Sequence, residues 1–395
     1  MNISKLGLLP KIIIAIILGI VCSLFFPAGV TRIFATFNGI FGNFLGFIIP
    51  LLIFGLVAPG IAELGKGAGR LLLITAGLAY GFTLFSGFMS YTVTRLSFPL
   101  ILGPDDKIQS VGDTAHAFDP FFTIEMAPVM GVMTALVAAF VVGLGLAYVE
   151  GKTLQGALND FKGVIEKVIT GVIIPLLPLY IFGIFLIMSQ SGAVTSVLSV
   201  FMKIIVIIFA MTAVLLLIQY FIAGAVSKKN PIKLLKTMIP AYATALGTSS
   251  SAATIPVTLA QTLKNDVDED IAGFVVPLCA TIHLSGSTLK IVSCALAIMM
   301  MTGMEIDFVQ FSGFIFMLGV TMVAAPGVPG GAIMAALGIL GSMLGFSQEA
   351  QGLMIALYIA MDSFGTATNV TGDGAIAVIV NVISGRNRKQ AKASA

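Results

Sequence analysis

The sequence predicts an all-α polytopic membrane protein, built from eight transmembrane helices and two re-entrant helical hairpins. Three observations carry that reading. Of its 395 residues 58% are hydrophobic and only 10% charged, with a mean hydropathy of +1.06; a soluble domain carries about 25% charged residues and could not cover its surface with so few. Charge-free windows long enough to cross a ~30 Å hydrocarbon core recur along the chain. In the second half, two of those windows are interrupted by residues that a plain helix does not tolerate.

The same composition excludes other classes. Lys+Arg 21 against Asp+Glu 18 gives a net charge of +3, far too weak a bias for nucleic-acid binding. Cys22, Cys279 and Cys294 all lie in apolar stretches and make neither a disulfide framework nor a metal site. His116 and His283 are the two histidines, so a His-rich metal cluster is excluded too. The 43 glycines and 16 prolines suit membrane helices that pack closely or break. Gly39, Gly42 and Gly46 fall on one helical face and read as a packing stripe.

Gaps between charges place the spans at 12–31, 33–62, 71–94, 126–149, 168–202, 204–227 and 271–289, with a last apolar segment at 350–384. The first is longer than a signal-peptide core and lacks a clear small-residue cleavage site, so it reads as a retained helix. The window at 308–348 is about twice the length that one helix needs and carries Pro326-Gly327-Val328-Pro329-Gly330-Gly331 at its middle. The window at 237–263 holds Gly247-Thr248-Ser249-Ser250-Ser251. In lipid a broken backbone survives only where protein or a wet cavity satisfies it. Both windows therefore read as hairpins that enter and leave on one side.

The charge distribution supports that choice. With the N-terminus cytoplasmic, most basic residues (Lys5, Lys11, Lys66, Arg70, Lys152, Lys162, Lys167, Lys228, Lys229, Lys233, Lys236, Lys264 and the tail from Arg386) fall on the cytoplasmic side. The loop near 101–125, with Asp105, Asp106, Asp113, Asp119 and Glu125, falls outside. Counting either hairpin as a full span would export the later basic residues. The second half then reads as two units of hairpin plus broken helix, entered from opposite sides. Inverted repeats of this kind place a binding site near the bilayer midplane.

The residues with chemistry lie in the last segment. At helical spacing Tyr358, Asp362, Thr366, Asn369 and Asp373 form one polar stripe about 80° wide. Each carboxylate at the centre of a membrane helix costs roughly 2.5–3.5 kcal/mol. A stripe mixing carboxylate, amide and hydroxyl supplies the hard oxygens that a small cation or an ammonium group needs. The bland alternative is a pair of carboxylates satisfied by neighbouring helices or water.

Four motifs in order then resemble one family. Ser249-Ser250-Ser251-Ala252-Ala253-Thr254-Ile255-Pro256 is similar to the serine-rich first hairpin of the dicarboxylate/amino acid:cation symporters, which include glutamate, aspartate and neutral amino-acid transporters. Pro277-Leu278-Cys279-Ala280-Thr281-Ile282 resembles the approach to that family's broken seventh helix, and Gly327-Val328-Pro329-Gly330 the tip of its second hairpin. Thr366-Ala367-Thr368-Asn369-Val370-Thr371-Gly372-Asp373 resembles its eighth helix.

The resemblance implies an elevator-type secondary transporter, a homotrimer in the inner (plasma) membrane with both termini cytoplasmic. It implies a fixed scaffold at about 1–69 and 126–194 and a moving transport domain at about 70–98 and 195–384. Within the latter lie hairpins at about 231–263 and 308–345; 385–395 is a cytoplasmic tail. Asp362 would hold a substrate ammonium, and Asn369 with hairpin amides its α-carboxylate. The implied substrate set is Ser250, Ser251, Ser287, Val328, Gly330, Asp362, Gly365, Thr366 and Asn369. The implied sodium set is Cys279, Thr281, His283, Asn369 and Asp373, with sodium as coupling ion, protons as the alternative, and no other cofactor.

Two departures refine this. Where family members that carry acidic substrates have an arginine in the eighth helix, this chain has Gly365, and no Arg lies between Arg95 and Arg386. A bidentate carboxylate partner is absent, so a small neutral amino acid is expected, with open space beside Gly365 for its side chain; an acidic amino acid or dicarboxylate is the alternative. The family's Asn-Met-Asp-Gly-Thr appears as His283-Leu284-Ser285-Gly286-Ser287, so one sodium ligand is lost and His283 becomes a titratable neighbour. Lys290 lies within the same span and either pairs with a carboxylate or points into a solvated crevice. An ion channel would also use polar stripes, but two hairpins around a dead-end site favour alternating access. No His/Asp partner stands near the serines with triad logic, so an enzyme is not expected.

Overall fold

The computed structural model describes residues 7–65, 69–101, 118–149, 152–192, 194–323, 325 and 329–393. Val328, Pro326, Gly327, Lys5, Lys66 and most of the acidic loop lie outside them. Helices follow one another with no strand among the described residues, as expected of an apolar chain that must satisfy its backbone internally. Helix α1 spans Leu8–Cys22, α2 Ala28–Gly65, α3 Arg70–Ile101 and α4 Val132–Tyr148. Helix α5 (Lys152–Val168) runs through a π-helical turn, Ile169–Ile173, into α6 (Ile174–Gln190). Pro175 and Pro178 follow at once; each lacks the N–H that an α-turn would use, which accounts for the local rearrangement. Helix α7 spans Val194–Ser227.

These boundaries correct several of the charge-gap windows. Arg32 and Lys203 do not separate spans: Arg32 lies in the first turns of α2, and Lys203 lies inside α7. The break after the first span falls instead at 23–27, ending in Pro27. Lys203 is carried because its long stem reaches out to donate to the Ile101 carbonyl at 3.2 Å. A charge near a helix end therefore marks a membrane boundary poorly.

The first hairpin comprises α8 (Pro231–Thr237), α9 (Ile239–Thr248) and α10 (Ser251–Lys264). At its tip Ser249 takes a left-handed conformation and the Ser250 side chain caps α10 by accepting from Ala253 N at 3.3 Å. A broken helix follows, α11 (Glu269–Ile282) and α12 (Ser285–Thr302), interrupted at His283-Leu284. The second hairpin comprises α13 (Phe308–Met322) and α14 (Gly331–Leu344), and α14 starts from Gly330 at φ +75°, a conformation that costs glycine nothing. The second broken helix is α15 (Gln348–Ala360) and α16 (Asp362–Ala393), interrupted at Met361.

The two broken helices form the interior. The window of Glu269–Thr302 is 89% buried and that of Asp362–Gly385 83%, whereas those of Arg70–Ile101 and Val197–Ser227 are 39% buried. Leu73, Leu96, Met202, Val206 and Phe221 stand exposed on α3 and α7, the apolar exterior that lipid rather than water would cover. Among the described residues, six helices are long and apolar enough to cross a membrane, and four shorter apolar helices accompany them. The chain is thus an all-helical polytopic membrane protein.

Candidate functional site

At Met361 the chain is interrupted between the end of α15 and the start of α16. The polar stripe expected on one continuous helix is therefore divided: Tyr358 belongs to α15, while Asp362, Thr366, Asn369 and Asp373 belong to α16. The break exposes backbone carbonyls and amides that an unbroken helix would consume. Thr366 Oγ1 donates to the Asp362 carbonyl at 3.1 Å, closing the first turn of α16.

Around this break lies a partly open cavity of about 20 Å³, room for about one water. Ser249 and Ser251 line it from the first hairpin, Ala280, Leu284 and Ser287 from the first broken helix, and Ala325 and Ala332 from the second hairpin. Tyr358, Asp362, Thr366 and Asn369 complete the wall. A larger cavity, about 180 Å³, lies between α2, α6 and the start of α15, against Asn38, Tyr180 and Gln348, away from both buried carboxylates of α16.

The polar groups in the smaller cavity hold one another in place. Asp362 Oδ2 accepts from Gly330 N at 2.8 Å, so the tip of the second hairpin rests on the carboxylate. Asn369 Oδ1 accepts from Gly286 N at 2.8 Å and Ser287 N at 3.4 Å, capping the first turn of α12. Ser287 Oγ accepts from Asn369 Nδ2 at 3.1 Å and from Tyr358 OH at 3.0 Å. The hydroxyls of Ser249 and Ser363 meet at 2.6 Å, joining the first hairpin to α16. Both hairpin tips and both helix breaks thus converge on Asp362 and Asn369.

Among the implied substrate residues, Ser251, Ser287, Asp362, Thr366 and Asn369 come together around this cavity, and Gly330 reaches it through its N–H. Ser250 acts as a helix cap, and its neighbour Ser249 lines the wall. Val328 lies outside the described residues. The open space expected beside Gly365 is not there: a methyl group at Gly365 would run into Nζ and Cε of Lys290, whose stem lies across the glycine. Lys290 is almost fully buried, with Nζ 3.1 Å from the Met361 carbonyl, 3.8 Å from Asp362 Oδ1 and 4.0 Å above the Tyr358 ring.

The implied cation residues divide as well. Three turns along α16, Asp373 Oδ1 lies 2.9 Å from His283 Nδ1, both side chains sealed from solvent. His283 donates its backbone N–H to the Cys279 carbonyl at 2.9 Å. Gln219 Nε2 donates to Ser285 Oγ at 3.1 Å, and Tyr220 OH to the Thr371 carbonyl at 2.7 Å. Thr281 is exposed and donates locally to the Leu278 carbonyl at 2.7 Å. Among the described residues no cluster of three or more His, Cys, Asp or Glu side chains could hold a metal ion. Gln219 and the wall residues Ala325 and Ala332 were not singled out by the sequence, since nothing distinguishes one alanine of an apolar helix from the next; Ser363, Ala280, Leu284 and Gly286 stood next to or inside the quoted motifs without a role of their own.

Comparison with known proteins agrees with the motifs. A family model described as the sodium:dicarboxylate symporter family matches residues 8–383. The serine/threonine transporter SstT of Acinetobacter baumannii (strain AYE) is 29% identical over 405 aligned residues, covering 97% of this chain and 98% of the relative. Its counterpart from strain SDF is 30% identical over the same shares, and that of Acinetobacter baylyi 26% identical over 96% of this chain and 98% of the relative. With the family model spanning nearly the whole chain, this protein belongs to the sodium:dicarboxylate symporter family and is a transporter, not an enzyme.

Proposed function

We propose that the chain is a cation-coupled symporter of a small neutral amino acid, serine and threonine first, working by elevator-type alternating access as a homotrimer. The observation that carries this reading is the pairing of one carboxylate, Asp362, with a cage of hydroxyl, amide and backbone N–H groups and no arginine. An ammonium group suits Asp362, and an α-carboxylate suits Asn369 and the amides at the hairpin tips, where helix N-termini favour negative charge. A neutral, hydroxyl-bearing side chain leaves no charge to be paired. The names of the relatives support the same substrate class.

The topology that fits is eight spans plus two hairpins in the inner membrane with both termini cytoplasmic, the hairpins and broken helices moving against a scaffold of α1, α2, α4, α5 and α6. Sodium is the coupling ion that the family description favours. A proton is the second reading, and one observation favours it: His283 already engages the carboxylate of Asp373. Purified protein in proteoliposomes, given labelled serine under a sodium gradient or a proton gradient alone, tests the reading. Uptake driven by one of the gradients supports symport. Uptake indifferent to both gradients, or a steady substrate-independent current, refutes it.

A further inference from the structure

Lys290 is the one lysine or arginine found buried among the described residues. It does not line the cavity. It approaches Asp362 from behind, from the second turn of α12, and closes the end of α15 by donating to the Met361 carbonyl. An ammonium buried at this depth is costly unless paired, and so is the carboxylate beside it. The position is over-determined: the Met361 carbonyl, just past the end of α15, and the face of Tyr358 both attract a cation, and the absence of a side chain at Gly365 makes room for the stem. Asp362 thus has two faces. One faces the cavity and touches the gate-like hairpin through Gly330; the other faces Lys290.

We propose that Lys290 is a tethered counter-cation for Asp362, which lets the substrate-free transport unit recross the membrane, so that the protein performs net uptake instead of obligatory exchange. The inference rests on the reading of Asp362 as the ammonium site. With an amino acid bound, its ammonium pairs with Asp362 directly. After release, the carboxylate would keep only uncharged donors, Gly330 N and the neighbouring Tyr358 hydroxyl. Lys290, 3.8 Å away, supplies the missing charge without leaving the protein. It acts as a positioning residue: it holds the charge of a group that touches substrate and does not touch substrate itself.

The test separates two modes of transport. Proteoliposomes carrying wild type or Lys290→Met are assayed with labelled serine, either with no internal amino acid (net uptake) or preloaded with serine (exchange). Wild type is expected to show both modes. Lys290→Met is expected to keep exchange within about threefold and to lose net uptake by tenfold or more. Equal loss of both modes in a folded variant, or loss of neither, overturns the proposal. Where Lys290→Met does not fold, the double variant Lys290→Met/Asp362→Asn is purified. A melting temperature restored to that of Asp362→Asn alone supports the counter-charge role, and a double variant that still misfolds overturns it. A wild type that moves none of the twenty amino acids in either mode refutes the proposed function, and this inference with it.

Discussion

The two buried carboxylates of α16 are treated differently by the same neighbouring helix break. Asp373 is paired with His283 at 2.9 Å in a site sealed on all sides, and Asp362 stands 3.8 Å from Lys290 with its other oxygen on the tip of the second hairpin. In both cases the basic partner comes from the region around the α11–α12 interruption. The contrast shows how one broken helix divides its tasks. The tight pair at Asp373 fixes α16 against α11 and the polar groups of α7. The looser pair at Asp362 leaves the other carboxylate oxygen to the tip of the second hairpin, on the wall of the cavity.

Substitutions that separate the two sites test this contrast. The largest effect is expected at Asp362. Asp362→Asn keeps the acceptor for Gly330 N but removes the charge, so serine binding by calorimetry should disappear while the protein remains folded in size-exclusion chromatography. Retention of wild-type affinity would remove Asp362 from the site. Asp373→Asn is next. It should weaken the dependence on the coupling cation first and lower serine affinity about tenfold, acting through Asn369 one turn away, with the coupling reciprocal between cation and substrate. Cation titrations with and without serine measure this; equal cation affinity in wild type and variant would contradict it.

Gly365→Ala probes the crowding that replaces the expected open space. Its methyl group would meet the Lys290 stem, and overpacking of this kind costs about 1–3 kcal/mol. Thermal unfolding should show the loss, and Lys290→Ala in the same chain should relieve the steric part. An undiminished melting temperature in Gly365→Ala would mean that Lys290 yields easily and is not held at Asp362. Gly365→Arg would set a guanidinium against an ammonium and is expected to abolish binding rather than convert it to acidic substrates. The smallest effect is expected from Ser249→Ala, which removes one hydrogen bond between the first hairpin and Ser363. It should weaken serine affinity by a few-fold, in line with about 0.5–1.5 kcal/mol for such a bond.

Much of this site was legible in the sequence, for identifiable reasons. Asp362, Thr366, Asn369 and Asp373 share a face because α16 is regular from Asp362 onward, so helical period alone aligns them. The two hairpins were marked by Ser-rich and Gly/Pro-rich interruptions that a lipid-embedded backbone cannot hide. What the period could not reveal is where a regular segment stops. The break at Met361 has no proline or glycine at the interruption, and it moves Tyr358 onto a separate helix. The neighbourhood of Gly365 was misread because a missing side chain on one helix was taken as space. Lys290, 75 positions earlier in the chain, fills it. Only the packing of α12 against α16 reveals that. The boundaries at Arg32 and Lys203 failed for a related reason, since long basic side chains let helices continue past a charge.

The central claim is that Asp362 receives the ammonium of a neutral amino acid in a cage with no partner for a second carboxylate. Competition against labelled serine uptake in proteoliposomes tests it most directly, with unlabelled serine, threonine, aspartate and succinate as competitors. Serine and threonine are predicted to compete, and aspartate and succinate to leave uptake unchanged at the same concentrations. Inhibition by aspartate or succinate as strong as that by serine would contradict the claim and make Lys290 the anchor of an acidic substrate.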